Sequence, residues 1–88
     1  MTKSAQTSEL IVYGRADCHL CEEMIQGLKQ RQEQVPFNFE VVDIDADPAL
    51  VTRYNDKIPV LVSSHDGMEI CHHFLDFAAL DDYLAKIR

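Results

Sequence analysis

Basic residues are scarce in this chain of 88: eight Lys and Arg stand against fifteen Asp and Glu, a formal net charge of −7. A protein that grips nucleic acid concentrates positive charge on one face, so the balance argues against that class of partner. No apolar run approaches the ~18 residues that a membrane-spanning helix needs. The first nine residues are polar and lack the apolar stretch of a secretory leader. The protein is therefore expected in the cytoplasm, with no membrane partner. Cysteines number three, and an odd count builds no stapled, secreted framework. Cysteines that do chemistry in a reducing compartment are the better expectation. Glycine and proline number three each, hydrophobic residues make up 47% and charged residues 26%, which excludes a collagen-like or disordered chain. There is no repeat and no low-complexity segment. A chain this short holds one core and buries only a little over ~60% of its unfolded surface.

Residues 1–8 are small and polar and read as a flexible tail; residues 9–88 read as one domain. Leu10-Ile11-Val12-Tyr13 is an apolar, partly β-branched run closed by Gly14, the pattern of a buried strand. From Cys18 the period changes. Leu20, Met24 and Leu28 recur every four residues with Cys21 and Ile25 beside them, while Glu22, Glu23, Lys29 and Arg31 fill the other side. This predicts an amphipathic helix to about Gln34. Gly27 is its weak point, costing up to ~1 kcal/mol relative to Ala. A second strand follows through Phe37, Phe39, Val41, Val42 and Ile44. Asp47-Pro48 is a helix start, an N-cap acid with proline in the first turn, and Leu50, Val51 and Tyr54 are its apolar side. Ile58-Pro59-Val60-Leu61-Val62 is a third strand opening with proline. Asp66-Gly67 turns the chain into a fourth strand over residues 68–74. Asp76 caps a last helix that carries Phe77, Leu80, Tyr83, Leu84 and Ile87 inward. The order β-α-β-α-β-β-α predicts an α/β fold with a four-stranded mixed sheet and three helices. Its first two strands are parallel through a right-handed crossover, and its last two form a hairpin.

Cys18-His19-Leu20-Cys21 falls between the first strand and the first helix. That context is a redox signal where the four letters alone are not. A thiolate, not a thiol, attacks a disulfide, and a free cysteine has a pKa of about 8.5. Cys18 lies at a helix start, where unpaired N–H groups and the dipole stabilise an anion. Arg15 adds positive charge. Asp17 either opposes it or serves as the N-cap. His19 stabilises the thiolate as a cation or shuttles a proton as a neutral ring; the plain alternative is an exposed histidine with no role. Cys21, one turn further in and more buried, is near enough to close a disulfide. Cys18 is thus expected to attack and Cys21 to resolve. The opposing reading is two inert buried thiols.

Val12-Tyr13-Gly14-Arg15-Ala16-Asp17-Cys18-His19-Leu20-Cys21-Glu22-Glu23, the aspartates around Val42-Asp43-Ile44-Asp45, and Lys57-Ile58-Pro59-Val60-Leu61 resemble a glutaredoxin-like protein of the thioredoxin fold. The likeness runs from Glu9 to the last helix. It is similar in particular to short glutaredoxin-like proteins that carry Cys-x-Leu-Cys and have no assigned substrate. The resemblance implies a thioredoxin-like fold and a thiol–disulfide oxidoreductase acting on protein disulfides or glutathione as a monomer. No bound cofactor is implied; the electrons come from outside, from glutathione or a thioredoxin-reductase-type reductant. It also implies a cis Ile58–Pro59 bond facing the cysteines, with the Ile58 backbone pairing an extended substrate segment as an added strand would. Lys57 is similar in position to residues lining the family's substrate groove; its bland reading is a solvated turn lysine. Two departures stand out. Typical glutaredoxins carry Cys-Pro-Tyr-Cys, and they have a Gly-Gly that holds the glutamyl end of glutathione where this chain reads Cys71-His72-His73-Phe74-Leu75-Asp76.

Two other classes of function remain open. One is a metal or iron–sulfur module in which Cys18, Cys21, Cys71 and His72 or His73 supply tetrahedral ligands. Against it, a proline facing the cysteine pair blocks access, and Cys71 on a strand reads as a small buried residue, so no metal is assigned. The other is a redox-silent adaptor on the same fold. Asp43, Asp45 and Asp47 read as a solvated turn and an N-cap rather than a cation site. Tyr13, Phe37, Phe39, Tyr54, Phe74, Phe77 and Tyr83 read as core.

Overall fold

Leu10, Val12 and Gly14 are buried while Ile11 and Tyr13 are half-buried, as in a strand covered on both faces. The structure, a computed structural model, describes residues 8–87; apart from Ser8, the expected tail lies outside them. This strand, β1 (Leu10–Gly14), pairs in parallel with β2 (Phe39–Asp43) and antiparallel with β3 (Val60–Ser63). β3 continues into β4 (Glu69–His72) through a hairpin, and the sheet order is β2-β1-β3-β4. Gly67 has φ +75° in the hairpin turn, and the Asp66 carboxylate accepts the Met68 N–H at 3.0 Å.

On one face of the sheet lie α1 (His19–Gln32) and α3 (Phe77–Lys86). They bury Met24, Leu28, Leu80 and Leu84 against Leu10, Val12 and Leu61. On the other face α2 (Pro48–Tyr54) sets Tyr54, with Ile44, against Val60 and Val62. The two faces follow from strand alternation: Val12 and Leu61 point one way, Tyr13 and Val60 the other. The mixed four-stranded α/β sheet in the expected order is what the chain forms.

Several boundaries differ, each for a local reason. The first helix ends at Gln32 rather than Gln34, in turns closed by Glu33 N–H on the Gln30 carbonyl and Val35 N–H on the Arg31 carbonyl. The second strand stops at Asp43, because its carboxylate accepts the Asp45 N–H at 2.9 Å and opens a 3₁₀ turn over Ile44–Ala46. Asp47 then caps α2 through the Ala49 N–H, as its sequence position implied. The third strand starts at Val60, since the Ile58 N–H turns back to the Tyr54 carbonyl and Pro59 has none to give. In the β3–β4 pair Leu61 faces Cys71 but Val62 faces Glu69, so β4 carries one extra residue. This bulge defeats alternation: Ile70 and Cys71 both pack on the α1/α3 core instead of facing opposite ways. Nor are all the aromatics core. Phe74 is 67% exposed and Phe77 41%, because they lie in the β4–α3 connection and on the first turn of α3, outside the sheet. Ile87 is also exposed, at the C-cap of α3.

Candidate active site

Cys18 is itself the N-cap of α1. Its backbone is extended (φ −114°, ψ 108°), and its Sγ accepts the Cys21 N–H at 3.1 Å. That settles the two readings of Asp17: it is exposed and does not cap the helix. Cys18 and Cys21 are disulfide-bonded across one helical turn, with Cα atoms 5.1 Å apart. Cys18 is half-buried, whereas Cys21 is only 3% exposed. Cys18 is therefore the more exposed of the two cysteines and Cys21 the sheltered one. Gly14 makes the inner position available: a Cβ built on it would lie 2.9 Å from Cys21 Sγ. The sequence suggested only that Gly14 ends a strand.

The flanking basic side chains are engaged. Arg15 Nε lies 2.9 Å from Asp45 Oδ2, and its Nη2 lies 3.0 Å from Asp45 Oδ1 and 3.1 Å from Asn55 Oδ1. This fork ties the β1–α1 connection to the 3₁₀ turn and the end of α2. The hydrogen bonds raise the Arg15 pKa and hold the Asp45 carboxyl below its ordinary value. His19 is turned outward, 82% exposed, with Nε2 2.8 Å from Glu23 Oε2. Lys57 Nζ lies 3.1 Å from Glu69 Oε1, and Glu69 also meets His72 Nδ1. The Glu69 carboxyl is lowered first by His72 and then by Lys57, against the opposing effect of its partial burial.

The Ile58–Pro59 peptide bond is cis. Pro59 is buried and Ile58 half-buried. One residue at this edge, His73, entered the sequence reading only as a candidate metal ligand. His73 has φ +65°, the left-handed region that favours glycine. Its N–H donates to the Pro59 carbonyl at 2.8 Å, and its ring Nε2 lies 3.1 Å from the Asp56 carbonyl oxygen. No pattern signals a left-handed histidine. Beyond it, Leu20, Met24 and Gly27 of α1 face Phe74, Leu75 and Phe77 across an open cleft of about 220 Å³. Gly27, read above as a weak point, has a use here: a Cβ on it would meet Leu75 Cδ2 at 2.7 Å.

Cys71 is a free, half-buried cysteine against the α1/α3 core, and burial pushes its thiol pKa up, opposed by the Asp76 N–H. Among the described residues no three His, Cys, Asp or Glu side chains gather to hold a metal ion, so the structure does not bring Cys71 and a histidine to the Cys18–Cys21 pair. Asp43 and Asp47 act as caps and Asp45 as the Arg15 partner, in keeping with a turn rather than a cation site.

Residues 9–85 match the family described as glutaredoxin-like domain (DUF836). The solution structure of protein Ne2328 from Nitrosomonas europaea is similar, with 42% identity and a TM-score of 0.78 over 94% of this chain and 98% of that one. The X-ray structure of target protein XcR50 from X. campestris is 34% identical, with a TM-score of 0.70 over 88% of this chain and 96% of that one. Thioredoxin 1 from Thermosipho africanus TCF52B is 15% identical with a TM-score of 0.58 over 88% of this chain and 94% of that one, a likeness of fold alone. No curated protein matches the chain.

Proposed function

The chain belongs to the glutaredoxin-like domain family (DUF836), and from that premise we propose that it is a small thiol–disulfide oxidoreductase acting through Cys18 and Cys21. The observation that carries the reading is the disulfide itself: a half-buried cysteine at a helix N-cap joined to a buried one a turn inside. A pair so placed fits a thiol-redox role.

In the reduced protein, Cys18 loses its proton, and the thiolate is stabilised by the Cys21 N–H that already points at Sγ and by the positive end of α1. It attacks one sulfur of a substrate disulfide and releases the other as a thiolate. The Cys21 thiolate then attacks Cys18 Sγ, closing Cys18–Cys21 and releasing the second substrate sulfur. Two electrons pass to the substrate, and the two protons given up by the cysteines end on its thiols. Arg15 contributes a background positive potential rather than a direct contact, being engaged by Asp45 and Asn55. His19 sits on the outer rim. The substrate segment lies along Ile58–Pro59, with Lys57 at the groove wall. The Ile58 N–H is donated to Tyr54, so its carbonyl oxygen is the group an added strand uses. The substrates are protein disulfides or glutathione disulfide, and the pair is re-reduced by glutathione or a thioredoxin-reductase-type donor.

The test is the pH dependence of Cys18 alkylation in reduced protein carrying Cys21→Ser, together with reduction of a model disulfide by the parent chain. A Cys18 pKa at least one unit under the free-thiol value of about 8.5, with measurable exchange, is the expected result. An ordinary thiol pKa and no exchange would refute the reading. The same Cys21→Ser protein holds the mixed disulfide, so mass spectrometry of what stays on Cys18 names the partner.

A further inference from the structure

Asp56, Lys57, Ile58 and Pro59 form the connection between α2 and β3, and the reading above lays substrate along it. Two tethers reach it, one from the first residue of β4 and one from the residue that follows its last. One is the exposed Lys57–Glu69 ion pair, a contact between two flexible side-chain ends. The other is His73, which grips the connection at both ends: main-chain N–H to the Pro59 carbonyl at 2.8 Å, ring Nε2 to the Asp56 carbonyl at 3.1 Å. A carbonyl only accepts, so the ring nitrogen in this bond carries the proton. The His72 and Phe74 rings stand edge-on to the His73 ring, with centroids 4.8 and 6.4 Å away.

The backbone makes the choice of residue informative. At φ +65° glycine is at ease, and a residue that carries a Cβ is held there at a cost. A strained residue persists where the surrounding structure over-determines it, and such positions concentrate at working sites. Resting on the oxidoreductase reading, we propose that His73 is a positioning residue. It clamps residues 56–59 to β4 so that the Ile58–Pro59 edge is set before substrate arrives. It touches no reacting atom and acts through that connection alone.

The test compares His73→Gly with His73→Gln in the full chain. Glycine removes the ring and relieves the backbone; glutamine restores an N–H donor with the reach of Nε2. In His73→Gly the melting temperature should hold or rise. The Lys57 and Ile58 amides, both donated to the Tyr54 carbonyl, should exchange hydrogen at least fivefold faster. KM for a protein disulfide should rise at least fivefold with kcat and the Cys18 alkylation profile unchanged. His73→Gln should recover most of both losses. Unchanged amide exchange in His73→Gly overturns the clamp, and faster exchange with unchanged KM overturns its role in positioning. Should the parent chain show no disulfide exchange, the oxidoreductase reading fails by itself, and the amide rates still decide whether His73 clamps the connection.

Discussion

Gly14 is where one hydrogen atom decides how close two elements come. A methyl there would sit 2.9 Å from Cys21 Sγ and 3.3 Å from Cys21 Cβ. The second contact is present in either redox state. The first is state-dependent, because a sulfur bonded to Cys18 cannot swing aside and a free thiol can. Overpacking a tight site costs about 1–3 kcal/mol. Falling on the oxidised form, that cost makes the pair a stronger oxidant by roughly 20–60 mV, since ~30 mV corresponds to 1.4 kcal/mol for a two-electron couple. Gly14→Ala should therefore raise the reduction potential measured against a glutathione redox buffer, and an unchanged potential would show that the methyl is accommodated equally in both states. At this scale the cysteine pair was legible, because its spacing and its place before a helix carry the chemistry. His73 was not, because left-handed backbone is written into a sequence only when glycine or asparagine occupies it. The partners of Arg15 were also hidden: Asp45 and Asn55 are 30 and 40 residues away, a separation over which no periodicity runs.

Helix α1 shows how the same substitution takes a different value at another position. Its stripe of Cys21, Met24 and Leu28 is buried as the period of the sequence implied. Gly27 lies where the β4–α3 connection crosses, and a methyl there would reach within 2.7 Å of Leu75 Cδ2. Unlike a sulfur held in a disulfide, that atom is the free end of a half-buried leucine and can rotate away. Alanine gains up to ~1 kcal/mol of helix propensity over glycine, while repacking of one leucine costs a similar amount. Gly27→Ala should thus change the unfolding free energy by less than about 1 kcal/mol, far less than two mid-helix residues in full conflict would, as read from urea titration. A loss above about 2 kcal/mol would mean that Leu75 is locked and the connection is rigid. Caps were the legible part of the elements: Asp47 and Asp76 bond the first-turn N–H groups of α2 and α3 as their positions imply. The bulge in β4 and the 3₁₀ turn after β2 were not legible, since each inserts a local exception that alternation carries straight past.

For the molecule as a whole, the topology follows from the element order, while the placement of β3 between β1 and β4 depends on long-range pairing that no local pattern encodes. The charge of −7 makes its response to acid a contest between two effects. Protonating carboxylates relieves self-repulsion and stabilises. Protonating those whose folded pKa is depressed does the reverse. Asp45 is lowered by Arg15, Asp66 by the Met68 N–H, and Glu69 by His72 and Lys57. For a depressed acid the stabilisation is complete above the unfolded pKa, about 3.9 for Asp and 4.3 for Glu, and disappears as pH falls through the folded value. The urea midpoint should therefore hold or rise slightly as pH falls toward 5 and then drop below about 4. Asp45 and Asp66 are exposed and the Glu69 side chain keeps a third of its surface in solvent, so the drop should be shallow and should diminish in high salt. Asp45→Asn removes the Arg15 fork and with it one source of the acid limb. Its midpoint should lie below the parent's at pH 7, and the gap should narrow as pH falls below the ordinary carboxylate range. Coincident curves across the whole range would show that the Arg15–Asp45 pair contributes nothing to the stability of the fold.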